Sequence, residues 1–202
     1  MGNLSNTLLL IIGLFFFLQL MSPSFTKSFW FDPLLALFEP WRFLTSMFLH
    51  DPSGFTHIFF NAYALFMFGS ILESRVTGKD FLIIYFGAGL LGGLCYYATY
   101  IIGITPPIPA LGASGAIYGI MGAVALLLPE LQVFMLFFPL KIRYAVVLWI
   151  ALEFMGTFNP ASGIASAAHL GGLFFGLIYG WLIKRGLHPP VYGEAVPGTW
   201  TQ

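Results

Sequence analysis

Five polar side chains stand out in the chain because their surroundings are apolar: His57, Asn61, Ser114, Glu153 and His169. Polar groups inside membrane-length apolar stretches are costly and point to function by default. A serine hydroxyl is a weak nucleophile until a base within hydrogen-bond reach takes its proton, and neutral imidazole suits that task near pH 7. Ser114 and His169 supply such a pair. A tetrahedral intermediate also needs donors aimed at its oxyanion. The Ser114 backbone N–H at a helix start is one, and His57 and Asn61, one helical turn apart, offer side-chain donors from a single face. The chemistry these types can do together is acyl transfer, and none of the four needs a permanent charge. Glu153 could add a third group, but a carboxylate near a helix end is expected to snorkel toward water, which leaves it outside the site.

These residues can meet only if the elements carrying them converge. The 202 residues include eight Lys+Arg and eight Asp+Glu, so 8% are charged against 58% hydrophobic. Soluble domains carry roughly 25% charged residues, so the composition excludes an ordinary water-soluble protein. Zero formal net charge gives no basic field for nucleic acid, and the hydrophobic share excludes a disordered tail. The single Cys95 can form no internal disulfide and reads as a small packing residue. A crossing helix needs about 20 apolar residues, which gives spans near 5–22, 55–76, 80–103, 113–129, 142–158 and 163–184. Turn chemistry separates them at Ser22-Pro23-Ser24, Thr77-Gly78-Lys79-Asp80, Thr105-Pro106-Pro107 and Asn159-Pro160. The run Leu131–Leu140 is too short to cross and is placed at the interface.

The expected architecture is therefore an all-α polytopic membrane protein with a six-helix domain over 1–185. The first span is expected to be retained, since no Lys or Arg precedes Lys27 to make the basic start of a signal peptide. Arg75, Lys79, Lys141, Arg143, Lys184 and Arg185 fall on one side and Lys27 and Arg42 on the other, which puts both termini in the cytoplasm. Residues 186–202 read as a short, disordered cytoplasmic tail. The even-numbered helices then all start at the external face. At about 1.5 Å per residue, His57, Asn61, Ser114 and His169 share one shallow layer. Small residues recur at intervals of four on the fourth span (Gly115, Gly119, Ala123) and the sixth (Gly172, Gly176, Gly180). Such stripes let backbones pack closely, and a contact between them would bring Ser114 to His169. Taken singly, each polar residue has a packing explanation; their common depth favours a site.

Gly112-Ala113-Ser114-Gly115-Ala116-Ile117-Tyr118-Gly119, followed by Ala168-His169-Leu170-Gly171-Gly172-Leu173-Phe174-Phe175-Gly176, resembles the paired signatures of rhomboid intramembrane serine proteases. His57-Ile58-Phe59-Phe60-Asn61 is similar to the family's His-x-x-x-Asn, Glu73 with Gly69 echoes the end of that helix, and Trp41-Arg42 with Thr45 to His50 resembles its first external loop. The match covers about residues 40 to 180, and no departure in the central constellation suggests an inactive relative. The resemblance implies a rhomboid-like six-helix bundle of the minimal prokaryotic form, in the plasma membrane, cleaving other proteins' transmembrane segments near the external leaflet. It implies Ser114 as nucleophile and His169 as general base in a dyad, with His57, Asn61 and the Ser114 amide binding the oxyanion. Tyr118 would support the His169 ring, with Gly112, Gly115, Gly119, Gly172 and Gly176 as supporting glycines. Trp41 and Arg42 would anchor the external loop, and the fifth helix with the Phe158–Gly163 connection would serve as gate and cap.

Physical constraints narrow the partners. Hydrolysis needs water, which a shallow site can admit through a polar funnel. A substrate helix hides its carbonyls in hydrogen bonds, so the expected substrates are single-pass or polytopic membrane proteins with helix-weakening residues near the cut. Neither a cofactor nor a metal is expected: the chain has no His-Glu-x-x-His, and no span carries a central aspartate for an aspartyl dyad. The alternative is a catalytically silent rhomboid-like protein that binds client helices in the lipid bilayer, against which the presence of both Ser114 and His169 argues. A channel would need a polar path through both leaflets, and the inner halves of the even helices are apolar.

Overall fold

The computed structural model describes residues 4–135, 138–159 and 165–187. Along the chain, α1 (Leu4–Met21) leads to α2 (Pro23–Phe29) and α3 (Arg42–Thr45). Next come α4 (Thr56–Ala64), a π-helical turn Leu65–Gly69 and α5 (Ser70–Glu73), then α6 (Gly78–Ile101) and α7 (Ser114–Leu127). The strands β1 (Gln132–Met135) and β2 (Phe138–Lys141) precede α8 (Ile142–Thr157) and α9 (Ser166–Lys184). Among the described residues, α1, α6 and α9 are long and apolar enough to cross a membrane, while α7 is apolar but shorter. A helical segment falls on each of the six apolar stretches, with ends displaced by up to three residues.

The structure corrects the sequence expectation in three places. The chain is mostly helical rather than all-α, because β1 and β2 pair antiparallel with Gln132 opposite Lys141 and Met135 opposite Phe138. The run is too short for a crossing helix and rich in residues suited to a pleated surface. Glu130 closes the base of the hairpin by pairing with both Lys141 and Arg143. The second stretch is not one uniform helix: the π turn interrupts it where Gly69 passes Ser5, so close that a β-carbon on Gly69 would lie 2.7 Å from the Ser5 hydroxyl. The first connection, expected as a loop, folds into α2, α3 and a 3-10 turn at Ser46–Phe48. Residues 188–202 of the tail and most of the Phe158–Gly163 connection lie outside the described residues.

Hydrogen bonds between distant residues set the directions of the helices. The Glu73 carboxylate accepts from the Leu4 and Ser5 N–H groups at 2.7 and 3.0 Å, capping the exposed donors that every helix start leaves unpaired. At the other end of α1, Gln19 exchanges two bonds with the His50 backbone, at 2.8 and 2.9 Å. The α4–α5 stretch therefore runs antiparallel to α1. Tyr179 near the end of α9 donates to Asp80 in the first turn of α6 at 2.8 Å, so α6 and α9 are likewise antiparallel. Thr77 caps α6, accepting from the Asp80 N–H at 3.1 Å. The starts of α4, α7 and α9 thus gather at the end where α1, α6 and α8 finish. The core lies around α7, of which eleven of fourteen residues are buried.

Candidate active site

The contact between α7 and α9 has backbone touching backbone. A β-carbon on Gly172 would fall 1.9 Å from the Gly115 carbonyl oxygen, and one on Gly176 would fall 1.8 Å from that of Gly119. Gly180 meets Ala123, where a β-carbon would lie 3.0 Å from Cα. The three pairs share one sequence offset, as two helices running in the same direction require. Next to this seam, Gly171 faces Cys95 of α6.

At the head of the seam, the Ser114 hydroxyl lies 2.6 Å from His169 Nε2. The Tyr118 ring stacks on the imidazole with centroids 4.4 Å apart and planes 6° from parallel. Glu153 reaches the same place from α8. Its Oε1 accepts from the Tyr118 phenol at 2.5 Å and lies 3.0 Å from His169 Nδ1. The expectation that Glu153 snorkels away from the site is corrected: its side chain is only 12% exposed. It sits four residues before the end of α8, facing inward on the turn that meets α9.

N–H groups around Ser114 come from two directions. Ser114 opens α7, so its N–H is one of the four that a helix cannot bond internally. The Asp51 N–H donates to His57 Nδ1 at 3.3 Å, which leaves the proton of a neutral His57 on Nε2. That nitrogen faces Gly112. Gly112 has φ +132°, and a β-carbon there would lie 2.9 Å from His57 Nε2 and 3.7 Å from the Ser114 hydroxyl. Glycine is therefore required twice, by backbone conformation and by the space between serine and imidazole. Asn61 donates from Nδ2 to the His57 carbonyl at 2.9 Å. A cavity of about 810 Å³ is lined by His57, Asn61, Ser114, Tyr118, Glu153 and His169 together with loop residues.

The first connection is held by Arg42. Its buried guanidinium donates to the Lys27 and Trp30 carbonyls at 2.8 and 2.9 Å and to the Glu39 carboxylate at 2.5 Å. Trp41 is 50% exposed, so of the two expected anchors Arg42 is the buried one; Thr45 adds a hydrogen bond to the Phe29 carbonyl at 2.8 Å. His50 is fully buried, with neither ring nitrogen bonded to a described group. Burial, with the His57 ring beside it, pushes the His50 imidazole down to about 3, which keeps it neutral.

Residues 37–186 match the family model described as Rhomboid domain. The chain belongs to the rhomboid family. It is 32% identical over 72% of its length to "Rhomboid protease GluP" of Bacillus subtilis, covering 26% of that protein. It is 30% identical over 73% of its length to "Rhomboid protease GlpG" of Haemophilus influenzae, covering 71%. It is also 30% identical over 65% of its length to "Rhomboid protein 1, mitochondrial" of Saccharomyces cerevisiae, covering 39%. The chain thus spans between a quarter and two fifths of the Bacillus and yeast relatives. Family membership together with three membrane-length apolar helices makes this rhomboid an integral membrane protein.

The residue that sequence reasoning placed outside the rhomboid's site is Glu153. Its one available signal was a carboxylate inside a membrane-length stretch that carries no other acidic residue, which alone argues for an inward partner. Position along α8 could not say which way it faces.

Proposed function

We propose that this rhomboid is an intramembrane serine endopeptidase, cutting peptide bonds in or near transmembrane segments of other membrane proteins at the external leaflet. The observation that carries the reading is the 2.6 Å contact of Ser114 with His169 inside the cavity. The Ser114 oxygen attacks the scissile carbonyl carbon as its proton passes to His169 Nε2. Negative charge on the carbonyl oxygen is met by the Ser114 N–H, His57 Nε2–H and Asn61 amide. Collapse expels the amine, which takes the proton from His169, and leaves an acyl ester on Ser114. Water then attacks that ester, gives a proton to His169, and the ester oxygen recovers it as the acid product leaves. Named proteases among the relatives support this reading.

In this scheme the chain crosses the membrane six times with both termini inside, as the distribution of Lys and Arg favours. The external leaflet is then the end where α4, α7 and α9 start, and α8 is the side from which a substrate helix enters. Helix-weakening residues in the substrate free the carbonyl that Ser114 attacks. The purified protein in detergent should be labelled by a fluorophosphonate and should cut a model transmembrane substrate. Ser114→Ala should lose both while remaining folded; labelling that persists in that variant would place the nucleophile elsewhere. A silent helix-binding protein would show neither in the wild type.

A further inference from the structure

We propose that Glu153 is a positioning residue for His169, making the site a three-membered relay of Ser114, His169 and Glu153 whose third member rides on a different helix. The proposal rests on the hydrolytic reading above and deepens it.

The argument starts from hydrogen-bond capacity. A phenol O–H is the only donor that Tyr118 has, so at 2.5 Å from Glu153 Oε1 it donates and the carboxylate accepts. The same oxygen lies 3.0 Å from His169 Nδ1. An ionised carboxylate has nothing to give, so the proton between them sits on Nδ1. A neutral His169 then has its lone pair on Nε2, the nitrogen 2.6 Å from the Ser114 hydroxyl. Glu153 thereby selects the tautomer that can take the serine proton. With no acceptor at Nδ1, the proton is free to sit on Nε2, where imidazole offers serine a donor rather than a base.

Charge supplies the second half. When His169 takes the serine proton it becomes a cation on a side chain only 11% exposed, and a carboxylate 3.0 Å away opposes that charge. Glu153 stays ionised throughout; the proton passes only between Ser114, His169, the leaving amine and water. Tyr118 fixes both partners at once, stacked on the ring and bonded to the carboxylate. Three helices, α7, α8 and α9, each contribute one member of the Tyr118, Glu153 and His169 cluster.

A carboxylate that merely fastened α8 to α9 would matter for stability and for substrate entry, and would leave serine reactivity alone. The test is therefore the rate of fluorophosphonate labelling, which needs no substrate helix, measured beside kcat and KM on folded protein in detergent. Glu153→Leu removes every acceptor and should lower the labelling rate and kcat together by about 100-fold or more, with KM within about threefold. Glu153→Gln keeps shape but not charge and should also fall by about 100-fold or more; Glu153→Asp should recover part of the loss. A labelling rate in folded Glu153→Leu within twofold of wild type overturns the proposal, as does a change confined to KM. Should Glu153→Leu not fold, Glu153→Gln decides: a rate equal to wild type overturns it. Wild-type protein that does not label at Ser114 would instead sink the hydrolytic reading itself.

Discussion

Helices α7 and α8 both carry site residues to His169, yet they are held in opposite ways. In α7, eleven of fourteen residues are buried, and its Gly115 and Gly119 carbonyls leave no room for a methyl group on Gly172 or Gly176 of α9. In α8, three of sixteen residues are buried, Ile142, Ala145 and Val146, all in its first half. The half that holds Glu153 presents Leu152, Phe154 and Met155 outward and meets the rest through Ile150, Glu153 and Gly156. Ser114 and His169 therefore ride on two helices packed backbone to backbone, while Glu153 rides on a helix with few buried residues. On the hydrolytic reading proposed above, a site that admits a substrate helix would need one firmly packed wall and one more loosely packed wall.

Matched glycine substitutions can break this comparison. Gly176→Ala should have the largest effect, because its methyl would sit 1.8 Å from the Gly119 carbonyl oxygen, which neither helix backbone can avoid. We expect a loss above about 3 kcal/mol, read as a collapse of thermal stability in detergent, with activity lost alongside. A stable Gly176→Ala protein would show that the seam can slide.

Gly112→Ala comes next. It forces a side chain onto φ +132° and into the gap between His57 and Ser114. A stability loss of about 1–3 kcal/mol should accompany a fall in kcat of about 100-fold, the scale of one lost oxyanion donor. Full activity here would remove His57 from the reaction. Gly156→Ala, on α8, should be the mildest. Its methyl would meet the Ser166 hydroxyl at 2.4 Å, but a hydroxyl can rotate and α8 can give, so we expect a cost below about 1 kcal/mol. A cost as large as that of Gly176→Ala would mean that α8 is as tightly held as α7.

Much of the site was legible because it is encoded locally. The intervals of four on two helices announce faces that can touch backbone to backbone, and parallel direction follows from counting crossings. Ser114 and His169 each stand at the head of such a face, so aligning the faces also aligns the pair. Glu153 had no comparable stripe beside it. The pairing of Glu73 with the start of α1 was also hidden, since the partner is a set of backbone N–H groups that any sequence possesses. The hairpin was missed because an apolar run that is too short to cross does not reveal its own conformation.

By itself the sequence determined the solvent, the helical stretches, the small-residue faces and four polar residues at one depth, since each depends on composition or on spacing within a single helix. Only the tertiary structure decided that Gly112 sits between His57 and Ser114, that Arg42 rather than Trp41 is the buried anchor of the first connection, and that Glu153 turns toward His169. Those depend on how one helix is rotated and displaced against another. That relation is set by packing between segments far apart in the chain, and no period within a segment records it.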